Sequence, residues 1–246
     1  MALATGDLTI NSVFRLLPKV LGLESITLLM MFSGFAGVLN LLSFALQYGL
    51  GVGGLAASLA AVFFSIATSV MACFVHYAAI HAADMRLAGR PLQAAQTLWI
   101  ASDRFWDCLA MALLMGLVVI VGTLLLIIPG IFLWIAFSLA VPTLALRRLG
   151  VSESMNVSWA ATEGRRWRLL GIWLVYAVVG FIALVCISLL FAAVLHMLGL
   201  GRIAAQVLML AVLDPVFTGM SLVVTGALST TMFRIIERDA PEVFAA

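Results

Sequence analysis

The sequence is short of charge. Thirteen basic and eleven acidic side chains serve 246 residues, about a tenth of the chain, where a soluble domain is about a quarter charged. So few charges cannot clothe a water-facing surface, which excludes a soluble globular domain. Period-two alternation is also missing, and that excludes an outer-membrane barrel. Only three cysteines occur, Cys73, Cys108 and Cys186. They lie in or beside apolar runs without CxxC spacing, so they read as buried apolar thiols. No P-loop, GxSxG or HExxH motif is present, and no catalytic residue or cofactor is expected. No small-residue cleavage site follows the first apolar run, so that run is expected to stay as a span.

What remains is apolar. Hydrophobic residues make up 65% of the chain, and mean hydropathy is +1.22. Uninterrupted runs of this kind point to transmembrane helices. One all-α membrane domain, 1–246, is expected, with six spans at about 25–48, 55–83, 108–128, 131–146, 169–200 and 216–234. Gly49, Gly51, Gly53 and Gly54 form a turn between the first two. Pro129 and Gly130 are expected to turn the chain between the third and fourth. Pro142 is expected to bend the fourth, which is short. The last apolar region, Ile203 to Ile236, would reach about 51 Å and exceeds a ~30 Å hydrocarbon core. Asp214-Pro215 divides it, leaving residues 203–213 as an outer half-helix or a continuation.

Twelve of the thirteen basic residues fall in the N-terminal segment, the 84–107 and 147–168 loops and the C-terminal segment. Arg202 alone lies on the other side. This asymmetry places both termini and both large loops in the cytoplasm, at the inner membrane.

Three stretches beside the spans have helical periodicity. In 9–20, Ile10, Val13, Leu17 and Val20 share a side, with Pro18 expected to kink or end the helix. In 91–106, with Pro91 in the first turn, Leu92, Ala95, Trp99, Ser102 and Trp106 do so. In 151–167, Val151, Met155, Trp159 and Thr162 do so. The second and third stretches repeat: Gly89 to Trp106 and Gly150 to Trp167 each run from Gly through an amphipathic segment into a span. The first reads as a degenerate copy. The expected fold is therefore three helical hairpins, each preceded by a cytoplasmic interfacial helix.

The stretch from Ile127 to Ile172 carries the most specific pattern: IPGIFLWIAFSLAVPTL at 128–144, SMNVSW at 154–159, Thr162, and GRRWRLLGIW at 164–173. It resembles the integral-membrane domain found beside some glycerophosphodiester phosphodiesterases and the stand-alone YciC-like (UPF0259, DUF975-related) membrane proteins. The resemblance implies a six-helix membrane domain. It does not imply phosphodiesterase activity, because the catalytic barrel of those enzymes is a separate domain. Where that family commonly has Glu five residues after the second Pro, this chain has Arg147.

Candidate site residues follow. Trp99, Arg104, Trp106, Arg147, Arg148, Trp159, Arg165, Arg166, Trp167 and Arg168 form a basic and aromatic platform suited to anionic lipid, or serve only as the topology signal. Asp214 is an acid within an apolar run, a functional candidate by default. Asp followed by Pro also suits an N-cap and first helical residue. Thr218, Ser221, Thr225 and Ser229 follow it on one side. His76 and His81, five apart, sit about 140° around a helix and are poorly placed to share a metal. No metal is expected. The expected partners are membrane lipids, anionic ones included, with a membrane protein or a second copy next. Nucleic acid is not expected. The leading function is non-enzymatic lipid or partner binding in the membrane. A small-solute or peptide transporter with a site between hairpins is the alternative.

Overall fold

The computed structural model describes residues 8–49, 54–90, 93–199 and 201–244. The glycine turn at 50–53, Pro91 and Leu92 at the head of the second amphipathic stretch, and Leu200 lie outside them. Among the described residues every regular element is helical. Six helices are long and apolar enough to cross a membrane: Leu23–Gln47, Leu55–Leu87, Phe105–Leu124, Ile128–Arg147, Arg166–Met197 and Arg202–Asp239.

Helix α1 (Ile10–Val20) opens with a capping box between Thr9 and Ser12. The bundle takes up part of its apolar stripe, and Ile10 stays exposed. Val13 and Val20 are fully buried, and Phe14 and Leu17 pack beside them against α9 (Arg166–Met197) and α11 (Asp214–Asp239). Burial among protein side chains satisfies the stripe as well as lipid would. Pro18 lies inside this helix, which ends two residues later at Val20.

Helices α2 (Leu23–Phe44, continued by a π turn over Ala45–Gly49), α3 (Leu55–Leu87) and α11 each pack on the other two. Small residues bring α3 and α11 close. A Cβ on Gly226 would lie 2.9 Å from the Cβ of Ala79. Without a hydrophobic drive between helices in lipid, such close van der Waals contact holds them together.

Helices α4 (Ala94–Asp103), α5 (Phe105–Leu125), α6 (Ile127–Ala136) and α7 (Ala140–Arg147) follow. The turn between the third and fourth spans sits at Leu126, with φ −167° and ψ 147°, rather than at Pro129-Gly130. Pro129 instead occupies the first turn of α6, where a missing N–H costs nothing. Gly130 is there for closeness: a Cβ would meet the Thr123 backbone nitrogen at 2.9 Å. The fourth span breaks at residues 137–139, three to five residues before Pro142, which has no N–H for the preceding turn.

Helix α8 (Val151–Thr162) buries Ser154, Val157, Ser158, Ala161 and Thr162. Of the side formed by Val151, Met155, Trp159 and Thr162, the protein buries Thr162 and leaves the other three half-buried or exposed. Helix α10 (Arg202–Leu208) runs through a π turn at Met209–Leu213 into α11 without interruption. The last helix therefore begins at Arg202, and residues 203–213 continue it. Asp214 is helical, at φ −61° and ψ −49°, and caps nothing. The wider turn accommodates Pro215 inside a continuous helix, as π-bulges do.

One end of the bundle carries a chain of ion pairs. Arg86 meets Glu24 at 2.9 Å, Arg234 meets Asp84 at 2.5 Å and Glu237 at 2.7 Å, and Arg147 meets Glu237 at 2.5 Å. These pairs tie α2, α3, α7 and α11 together.

Candidate functional site

The expected platform divides in two. Three of its cations turn inward. Arg104 pairs with Asp107 at 2.6 Å and donates to the carbonyls of Leu144 and Leu149. Arg147, the residue that departs from the resembled pattern, pairs with Glu237. Arg166 stacks its guanidinium over Trp159 and Phe132, 4.3 and 4.5 Å from the ring centroids. Such stacking desolvates the cation and holds it to the rings.

The remaining tryptophans and arginines are not held in this way. The Trp99, Trp106 and Trp167 side chains are 75%, 77% and 85% exposed. Trp106 and Trp167 are each the second residue of a long helix, α5 and α9, which is where the two sequence repeats coincide. Among the described residues the side chains of Arg148, Arg165 and Arg168 make no hydrogen bond or ion pair. Arg148 adopts φ 56° at the end of α7.

The resembled motif has a packing role. Ser158 and Thr162 both donate to the carbonyl oxygen of Ala136, at 2.8 and 3.3 Å, where the fourth span breaks. All three residues are fully buried. Trp159, between them, packs edge-on to Phe132, tilted against Phe137, and under Arg166.

A second region emerges at the other end of the bundle. A cavity of about 340 Å³ opens between α2, α3 and α11. Asp214 lines it, with Asn40 and Ser43 from α2, Ser65, Thr68 and Ser69 from α3, and Thr218 from α11. Phe32 and Phe64 form its apolar wall. Its frame is set by the π turn, whose carbonyls lean toward α2. Asn40 Nδ2 donates to Leu210 O at 2.8 Å, and Ser33 Oγ donates to Pro215 O at 3.2 Å. Between them Gly37 faces Ala211 O so closely that a Cβ would lie 2.5 Å away. A neighbouring cavity of about 590 Å³ shares Asn40 and Ser43 and adds Gln47 and Gln206.

Of the expected hydroxyl stripe, only Thr218 reaches this groove. Ser221 bonds the Tyr176 hydroxyl at 2.8 Å, and Thr225 donates to the Ser221 and Leu222 carbonyls. Ser229 is buried and donates to Gly226 O. His76 lies 3.2 Å from Leu222 O, and His81 packs on Tyr77, so the two do not converge. Among the described residues no three His, Cys, Asp or Glu side chains gather closely enough to hold a metal ion. Sequence reasoning missed Asn40, Ser43, Ser65, Thr68 and Ser69. The signal was available: Asn40, Ser43 and Gln47, and likewise Ser65, Thr68 and Ser69, are polar side chains at helical spacing inside apolar runs.

Residues 106–236, more than half of the chain, match a family described as a domain of unknown function, DUF7847. The chain belongs to that family. The match covers the resembled motif, the broken fourth span and Asp214, and it leaves α2 and α3, which complete the groove, outside. No curated protein and no solved structure matches this DUF7847 member.

Proposed function

We propose that the chain is a non-enzymatic lipid-binding protein of the cytoplasmic membrane. Its six spans form three hairpins, with the ion-paired end and both termini in the cytoplasm. The observation that carries this is three exposed tryptophans, one of them Trp167 in the same short segment as Arg165 and Arg168, which have no partner among the described residues. Trp rings settle at the headgroup level, and each basic residue near an anionic leaflet contributes roughly 1 kcal/mol. The resemblance of 128–173 to a membrane module that accompanies, but does not contain, a catalytic domain supports a non-catalytic role.

The test is retention of anionic lipid by purified protein, read by native mass spectrometry. Changing Arg165 and Arg168 together to Gln is expected to weaken retention about 30-fold, two contributions of roughly 1 kcal/mol each. Equal retention would reduce the platform to a topology signal.

A second reading, a small-solute carrier, is favoured by the groove at Asp214. Flux into proteoliposomes, compared between the wild type and Asp214→Asn, tests it. Unchanged flux would remove Asp214 from any transport mechanism.

A further inference from the structure

We propose that the groove between α2, α3 and α11 binds an ammonium group, with Asp214 as its counter-charge. The assignment builds on the groove that favours the carrier reading but does not need flux. Binding without transport would remove the carrier and keep the site.

The charge of the groove decides the sign of its ligand. Among the described residues Asp214 is the one charged residue lining it, and no Lys, Arg or His lines either cavity. Asp214 has no hydrogen-bond or ion-pair partner among the described residues. It lies about 30 Å along the helix from Arg234 in the ion-paired end and about 18 Å from Arg202. It is exposed in the groove, where a ligand or water can meet it.

The hydrogen-bonding state of the walls points the same way. Thr68 gives its proton to Phe64 O at 2.9 Å, and Ser69 gives its own to Ser65 O at 2.8 Å. Asn40 spends its amide N–H on Leu210 O. Thr68 and Ser69 therefore turn only acceptor lone pairs to the groove, and Asn40 keeps its amide oxygen beside one remaining N–H. These acceptors suit an ammonium donor, and the charge of Asp214 sets the groove against a carboxylate or phosphate. Phe64, half-buried in the groove wall, adds aromatic surface of the kind that attracts quaternary and primary ammonium groups.

Size narrows the class further. About 340 Å³ is the scale of a small-molecule pocket, far larger than a single desolvated ion. The adjoining cavity, with Asn40, Ser43, Gln47 and Gln206, supplies a polar approach from the Arg202 side. The shared chemistry is an alkylammonium, and it has two sources: a free organic amine, or the amine headgroup of a lipid entering sideways.

The experiment uses the full chain. Tetramethylammonium and ethanolamine are titrated calorimetrically into detergent-purified wild type, Asp214→Asn, Asp214→Glu and Ser65→Phe. Asp214 and Ser65 are exposed to the groove, so these changes leave the packed core alone. Binding is expected in the wild type, weakened at least about tenfold in Asp214→Asn and in Ser65→Phe, which fills the groove. Asp214→Glu is expected to stay within about threefold.

The same titration in nanodiscs of phosphatidylglycerol, with and without phosphatidylethanolamine, separates the sources. Suppression by phosphatidylethanolamine, with that lipid retained by wild type but not by Asp214→Asn, assigns a lipid amine. No suppression assigns a free amine. Absence of binding in every arm, or equal binding by wild type and Asp214→Asn, overturns the proposal.

Discussion

The hydroxyls of Ser158 and Thr162 share one acceptor, and this makes their removal measurably non-additive. Both donate to Ala136 O at the break of the fourth span, in a place where water cannot substitute. Thr162 shares its one proton between Ala136 O at 3.3 Å and Trp159 O at 3.1 Å, so Ser158→Ala alone leaves the carbonyl this weaker bond and costs about 0.5–1.5 kcal/mol. Thr162→Val alone leaves the shorter Ser158 bond and costs a similar amount or less. The double variant strips the carbonyl of both hydroxyls. The desolvation penalty of an unpaired buried acceptor, about 1–3 kcal/mol, then enters in full. The predicted total is about 3–4 kcal/mol, with an excess over the two singles of roughly 1 kcal/mol. Reversible unfolding in mixed micelles, titrated with a denaturing detergent, gives all four corners of the cycle. Strict additivity, or a double variant within about 0.5 kcal/mol of wild type, would refute the shared-acceptor account of the motif.

Other perturbations test neighbouring parts. Gly226→Val should cost about 1–3 kcal/mol by overpacking against Ala79, seen as a lowered unfolding midpoint in micelles; an unchanged midpoint would show that α3 and α11 can part freely. Arg234→Met should cost about 2–3 kcal/mol by leaving Asp84 without its partner, at the low end for a broken pair because Arg234 is a third exposed; adding Asp84→Asn should recover part of that loss, and no recovery would deny the pairing. Arg166→Gln should lower stability by about 1–2 kcal/mol through lost stacking on Trp159 and Phe132 while lipid retention stays level. Arg165→Gln with Arg168→Gln should show the opposite pattern, and identical behaviour of the two sets would erase the division of the platform. Gly37→Leu should collapse the groove by driving α2 from Ala211 O, read as loss of ammonium binding.

Fold class was legible because hydropathy acts one helix at a time. Six apolar stretches could be counted from the chain, and six helices answer to them. Their joints were not, because joints depend on contacts across the bundle. Pro129-Gly130 has turn composition, yet the chain turns at Leu126; Gly130 answers to Thr123 on the facing helix instead. Asp214-Pro215 has the form of a helix start, yet a π turn absorbs the proline. That turn is stable where α2 brings Ser33, Gly37 and Asn40 to its loosened carbonyls, an event no local window records.

The site was legible in pieces. The tryptophans and arginines stood out by type, but type cannot say which way a cation turns. Arg147 was visible as a departure from a pattern, and its reason, Glu237, lies on another helix. Asp214 stood out alone, while its groove needed polar residues from three separate spans. Each of these was weak by itself in an apolar run.

The claim on which both readings depend is sidedness: the ion-paired end and its arginines in the cytoplasm, the Asp214 groove opening on the other side. It is tested most directly by single cysteines placed at Arg168, Arg202 and Arg238 in a chain whose Cys73, Cys108 and Cys186 are changed to Ala. Intact right-side-out vesicles are then exposed to a membrane-impermeant maleimide. Labelling of the Arg202→Cys protein alone, with the other two reacting only after permeabilisation, is the predicted result. Labelling of Arg168→Cys or Arg238→Cys in sealed vesicles would contradict the account.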